Sequence, residues 1–178
     1  MAPQSTFVLA NIIGGVAVLG SYALGLSLYP QYREELWGNV HGNLRLIFAL
    51  SMLLAAAGYL IFCYVYIRQV GSDPYWQRKH LGSYSISWLS IVFLASASFW
   101  MPGCIAYIHT RQVIWWVVSV TSLWITALSL LAMTWVTAGS LWAPTPTVSK
   151  YYSVVGLAYT TFHCLVIDAI VWVYLFKR

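Results

Sequence analysis

YSVVGLAYTTFHCLVIDAIVWVYLF, residues 152–176, decides the architecture. Its 25 residues hold one acid, Asp168, and no lysine or arginine. As a helix rising 1.5 Å per residue it reaches about 37 Å, more than the roughly 30 Å hydrocarbon core of a bilayer. Apolar stretches of about 18 residues or more with few charges mark spanning helices. Four others follow the same rule, approximately 7–28, 44–67, 83–101 and 113–138. The expected fold class is therefore an all-α integral membrane protein, a bundle of five transmembrane helices with short loops. Residues 1–178 form a single transmembrane domain in this reading, multi-pass, with the N- and C-termini on opposite sides.

Composition supports that class. A water-soluble domain carries about 25% charged residues and 45–50% apolar ones, whereas this chain has 7% and 61%. The spans and their turns use nearly all 178 residues, which leaves no room for a soluble catalytic module. The first span has no basic residue before it and is about twice as long as a signal-peptide core, so it reads as a membrane helix. The formal charge of +5 does not indicate nucleic acid, because the basic residues are spread over helix ends, where lipid headgroups lie. Four of them, Arg68, Arg78, Lys79 and Lys150, fall on the N-terminal side, and five, Arg33, Arg45, Arg111, Lys177 and Arg178, on the other. That near tie sets no orientation by the positive-inside rule.

Tryptophan rings settle at the water boundaries of a bilayer because they are amphipathic. The five-span map puts Trp37, Trp100, Trp115, Trp116 and Trp172 on one boundary and Trp76, Trp135 and Trp142 on the other, with Arg78 and Lys79 beside Trp76. Trp124 falls at mid-span. In SDPYWQRKH, Ser72 or Asp73 offers an N-cap ahead of Pro74, so a short surface helix is expected there. YPQYREELWGN predicts a similar segment ending at Gly38-Asn39. MPGC is read as a break after the third span, and the prolines of WAPTPTVSK end the fourth.

Helices in lipid associate through small residues and weak interhelical hydrogen bonds. Gly14, Ala17, Ser21 and Gly25 form such a stripe on the first span, and Ser51, Ala55 and Gly58 on the second. Ser83, Ser87 and Ser90 do so on the third, and Ser119, Ser122, Thr126 and Ser129 on the fourth. Two readings of the last stripe stand: packing, with the hydroxyls bonded to the preceding turn, or the wall of a polar cavity between the third, fourth and fifth spans.

Ionisable groups inside a membrane are functional candidates. Asp168 and His163 both lie near the middle of the last span. A central Asp costs roughly 2.5–3.5 kcal/mol on insertion, and each Leu, Ile, Val or Phe returns roughly 0.3–0.6, so the segment inserts but does not leave Asp168 facing lipid. In a regular α-helix a step of five turns about 140°, so His163 and Asp168 do not share a face unless a π-bulge intervenes. Asp168 is expected to bind a proton, a cation or a cationic group, with His163, Ser122, Thr126 and Ser129 as further candidate contacts. The alternative is plain hydrogen-bonded packing.

His163 is also the one histidine at a depth suited to an axial ligand of haem or a pigment; His41, His80 and His109 lie at or beyond helix ends, which argues against a bis-histidine haem within one chain. Cys63, Cys104 and Cys164 fall at three different depths, too far apart for a disulfide. The motifs G-x-x-x-x-G-K-[ST], H-E-x-x-H and G-x-S-x-G do not occur. Outside the spans the acids are only Glu34, Glu35 and Asp73, too few for metal-dependent phosphotransfer, and no metal site is expected.

Size, five spans and ten tryptophans make the chain similar in outline to the tryptophan-rich sensory proteins, which bind porphyrins and sterols. It lacks that family's proline- and tryptophan-rich loop, and no residue is carried over. Two functions follow from the sequence. One is a non-catalytic subunit of a larger membrane assembly, with other membrane chains as partners. The other is a small oligomeric carrier or ligand-binding bundle that uses Asp168.

Overall fold

The computed structural model describes residues 3–70, 83–142 and 147–176. Five helices in it are long and apolar enough to cross a membrane, and there is no strand among the described residues. They are α1 (Pro3–Leu28), α2 (Gly42–Gln69), α3 (Ser83–Thr110), α4 (Val113–Ala138) and α5 (Val148–Leu175). Around the bundle they pack in the order α1, α3, α4, α5, α2. The outer surface is covered with side chains such as Leu19, Leu53, Ile114 and Val155, an apolar surface suited to lipid tails and much larger than soluble proteins expose.

Two differences from the sequence reading concern the third span. It does not break at MPGC, because α3 continues through Pro102 to Thr110. A proline inside a helix removes one backbone hydrogen bond, but the turns beyond it bury Cys104, Ile105 and Ile108 in the core, and this packing holds the helix together. Cys104 therefore lies inside a helix instead of past its end. The α3–α4 link is only Arg111-Gln112, and Arg111 takes φ 57°, the left-handed conformation that commonly ends a helix. Its N–H bonds to the Tyr107 carbonyl at 2.7 Å.

The small-residue stripes are contact points. A Cβ on Gly14 would collide with Leu94, and one on Gly25 with Ile105 and Met101, so α1 approaches α3 at two places. α2 and α5 touch backbone to backbone at Gly58 and Gly156. Lys150, expected at the lipid headgroups, is buried. The segment 71–82, with the expected N-cap and the residues Trp76, Arg78 and Lys79, lies outside the described residues, as do the prolines of WAPTPTVSK.

Between α1 and α2 the chain folds back over one end of the bundle. It makes two 3-10 turns, Pro30–Tyr32 and Glu35–Trp37, ending at Gly38 with φ 57°, close to the segment expected there. Leu36 and Val40 from this cap enter the core beside Phe48, Trp116, Trp172 and Phe176. A second cluster, built around Phe7, Phe62, Tyr66, Ile86 and Leu157, fills the opposite end. The site lies within the first cluster, under the cap.

Candidate functional site: a carboxylate at the base of a capped cavity

The fifth helix changes register at His163. Residues His163–Trp172 are π-helical, a form with i to i+5 hydrogen bonds that is rare and concentrated at functional sites. One residue, Phe162, separates it from Thr160 and Thr161, whose hydroxyls bond to the carbonyls of Gly156 and Leu157, each at 2.9 Å. Such back-bonding loosens and bends a helix. Each threonine also reaches a neighbouring helix, Thr160 the Ala55 carbonyl at 2.8 Å and Thr161 the Thr134 hydroxyl at 2.7 Å.

The register change supplies the π-helical condition under which His163 and Asp168 were expected to share a face. The wider π-helical turn brings them toward the same side, and His163 Nε2 lies 3.5 Å from Asp168 Oδ2. On its other side His163 Nδ1 is 2.8 Å from Ser51 Oγ, which is 3.0 Å from the Tyr159 hydroxyl. One proton arrangement satisfies the whole chain: Tyr159 donates to Ser51, Ser51 to Nδ1, and Nε2–H to the carboxylate. A Ser-His-Asp sequence of contacts suggests a hydrolase, but Ser51 is 5% exposed and does not line the cavity described next. No acyl group reaches its oxygen from there. Nδ1 of His163 is thus hydrogen-bonded, and Nε2 faces the Asp168 carboxyl. Among the described residues no group of three or more His, Cys, Asp or Glu side chains could hold a metal ion.

Asp168 lies at the edge of this network and keeps 30% of its side-chain surface open. It faces a cavity of about 400 Å³ under the cap, to which all five helices contribute. Ligand pockets typically run from roughly 300 to 1,000 Å³, so a compact organic molecule fits. The walls are mainly apolar, with Tyr22, Trp37, Phe48, Trp100 and Trp172 as the aromatic part and Leu26, Leu36, Met52, Met101 and Leu123 as the rest. The ring centres of Trp100 lie 5.4 Å from Tyr22 and 5.3 Å from Trp172. The Trp100 indole N–H is buried without a hydrogen-bond partner. An unmet buried donor costs about 1–3 kcal/mol.

Charge in the cavity is uneven. Among the described residues no lysine or arginine pairs with Asp168. The two arginines lining the cavity are held elsewhere. Arg45 bonds both oxygens of Glu34, at 2.9 and 3.2 Å, and lies 4.6 Å from the Trp37 ring centre. Arg33 donates from Nε and Nη2 to the Leu26 carbonyl, capping the negative end of α1.

The other candidates are placed differently. Ser122 and Ser129 bond to the carbonyls of Ser119 and Ile125, and Thr126 joins Ser96 of α3 at 2.8 Å. None of the three lines the Asp168 cavity. Among the tryptophans assigned to the lipid boundary, Trp142 is 89% exposed and Trp115 also faces outward. Trp37 and Trp100 turn into the cavity, and Trp116 stacks on Phe176 with ring centres 4.8 Å apart. The aromatic cluster under the cap gives these rings more contact than the outer surface does. Sequence reasoning missed Tyr22, Trp100 and Trp172 as cavity walls. Trp172, four residues beyond Asp168, carried the one local signal.

No family model matches this chain, and no similarity to a curated protein or a solved structure is found.

Proposed function

We propose that this protein is a multi-pass membrane protein, its five helices crossing the bilayer and its termini on opposite sides, and that it binds a lipophilic organic cation. The observation that carries this reading is the Asp168 carboxyl, open to a cavity walled in part by aromatic rings and without a lysine or arginine partner among the described residues. Aromatic faces attract cations, by about 2 kcal/mol or more where water is excluded, and a carboxylate supplies the counter-charge. His163 orients that carboxylate, and Ser51 orients His163. Tetraphenylphosphonium is a suitable probe, with its anionic isostere tetraphenylborate as control. Titration of the purified protein, followed by tryptophan fluorescence, is expected to show saturable binding of the cation only. In Asp168→Asn its affinity should fall at least about tenfold, or 1.4 kcal/mol. Equal affinity for the two isosteres, or an unchanged Asp168→Asn variant, removes the carboxylate from the function.

A second reading, a subunit of a larger membrane assembly, is favoured by the outer groove between α1 and α3. Ala17, Gly20, Ser21, Ser98 and Pro102 line it, and a Cβ on Gly20 would meet nothing within 4 Å. Close helix packing in membranes uses such small residues. Its test is the composition of the protein extracted in mild detergent, and a lone monomer counts against it.

A further inference from the structure

We propose that the cavity is filled from the bilayer, through a window between α1 and α2, so that the ligand is a cation already dissolved in the membrane and not one taken from water. The inference rests on the ligand-binding reading above.

The water side is fastened shut. The Tyr32 hydroxyl meets His109 Nδ1 at 2.8 Å, and Glu35 pairs with Arg111 at 3.0 Å. The Leu36 carbonyl accepts from Trp172 Nε1 at 3.0 Å, and the Asn39 N–H donates to the Leu175 carbonyl at 3.0 Å. Leu36 and Val40 are buried in the core, so lifting the cap costs apolar burial as well as these bonds. A cation arriving from water would also pass Arg33, whose charge no carboxylate offsets among the described residues.

The lateral side is held differently. Gln4 donates to the Ile67 carbonyl, Tyr59 donates to Asn11, and Phe7 packs on Phe62 and Tyr66. These α1–α2 contacts all belong to the end of the bundle far from the cap. Toward the cap the cavity itself lies between the two helices, edged by Leu26 of α1 and by Phe48 and Met52 of α2. Met52 lines the cavity and keeps 40% of its surface exposed. The rim is thus apolar, the walls beyond it in part aromatic, and the carboxylate comes last. A lipophilic cation from the membrane has few waters to shed at such a rim, whereas a hydrated ion must lose its shell before any charge receives it.

The test uses proteoliposomes and stopped-flow tryptophan fluorescence with alkyl-triphenylphosphonium probes of increasing chain length, compared at equal free aqueous concentration. Entry from the bilayer makes association faster as the chain lengthens and the probe partitions more strongly. Glu35→Ala, which loosens the cap, should leave the rates unchanged. Met52→Trp, which narrows the window, should slow association and dissociation alike by about fivefold; a merely damaged site would instead release the probe faster. Rates independent of chain length, together with faster binding in Glu35→Ala, would overturn the lateral route while leaving the binding reading intact. Absence of saturable binding to the wild-type protein in detergent would overturn both.

Discussion

Alanine at Gly58 tests how tightly the network behind Asp168 is held. The new Cβ would stand 3.0 Å from the Cα and the carbonyl carbon of Gly156, and closer still to its carbonyl oxygen. These are backbone atoms, so no side-chain rotation relieves the overlap. To reach the ordinary carbon separation of about 3.5–4.0 Å, α2 and α5 must move apart by roughly half an ångström or more. That movement stretches three cross-helix bonds: Thr160 to the Ala55 carbonyl at 2.8 Å, Ser51 to Tyr159 at 3.0 Å and Ser51 to His163 at 2.8 Å. Overpacking alone costs about 1–3 kcal/mol, and interhelical hydrogen bonds in membrane proteins average about 0.6 kcal/mol each. The expected loss is about 1–5 kcal/mol, according to how far the three bonds are lost, measured as reversible unfolding in mixed micelles. Gly156→Ala should cost a similar amount. The double variant should cost less than the sum, because one separation accommodates both methyl groups. Gly20→Ala, which adds the same methyl group to open space, serves as the control and should stay within about 0.5 kcal/mol of wild type. A Gly58→Ala protein as stable as Gly20→Ala would refute the close backbone contact and the reasoning built on it.

Other substitutions separate packing from binding. Thr126→Val removes the Ser96 bond and should cost about 0.6 kcal/mol of stability with no change in probe affinity; a large loss of affinity would return the α4 hydroxyls to the site. Trp100→Phe removes the unpartnered indole N–H, so relief of that donor, about 1–3 kcal/mol, should offset much of the lost ring contact, about 0.5–1.5 kcal/mol. Its unfolding free energy should therefore stay within about 1 kcal/mol of wild type, and a loss of several kcal/mol would contradict the unmet donor. His163→Phe should lower probe affinity less than Asp168→Asn does, since the carboxylate remains but loses its orienting partner. An equal or larger loss in His163→Phe would make the histidine the primary contact.

The five helices were legible because length and apolarity alone specify them, and their observed ends lie close to the expected ones except at Pro102. There the proline rule was outweighed by the burial of Cys104, Ile105 and Ile108, which no local signal announces. Asp168 was legible as the one acid within a span. Its pairing with His163 was legible only as a condition, a π-bulge between the two, and no residue in the sequence announced that this register forms. The cavity was also hidden. It arises where the α1–α2 cap folds back over the bundle, and Trp37 and Trp100 carry the same amphipathic character whether they face lipid or line a pocket. On the serine and threonine stripe of α4, Ser122 and Ser129 bond to carbonyls one turn back, as one sequence reading had it, while Ser119 and Thr126 bond to α3, which the sequence does not show.

The most direct test of the cavity as the binding site is photolabelling with a photoreactive triphenylphosphonium, followed by peptide mapping. Adducts on Leu26, Met52, Trp100 and Trp172, competed by tetraphenylphosphonium and lost in Asp168→Asn, are the expected result. Adducts confined to outward residues such as Leu19, Leu53 and Trp135, or indifferent to competitor and to Asp168, would contradict it.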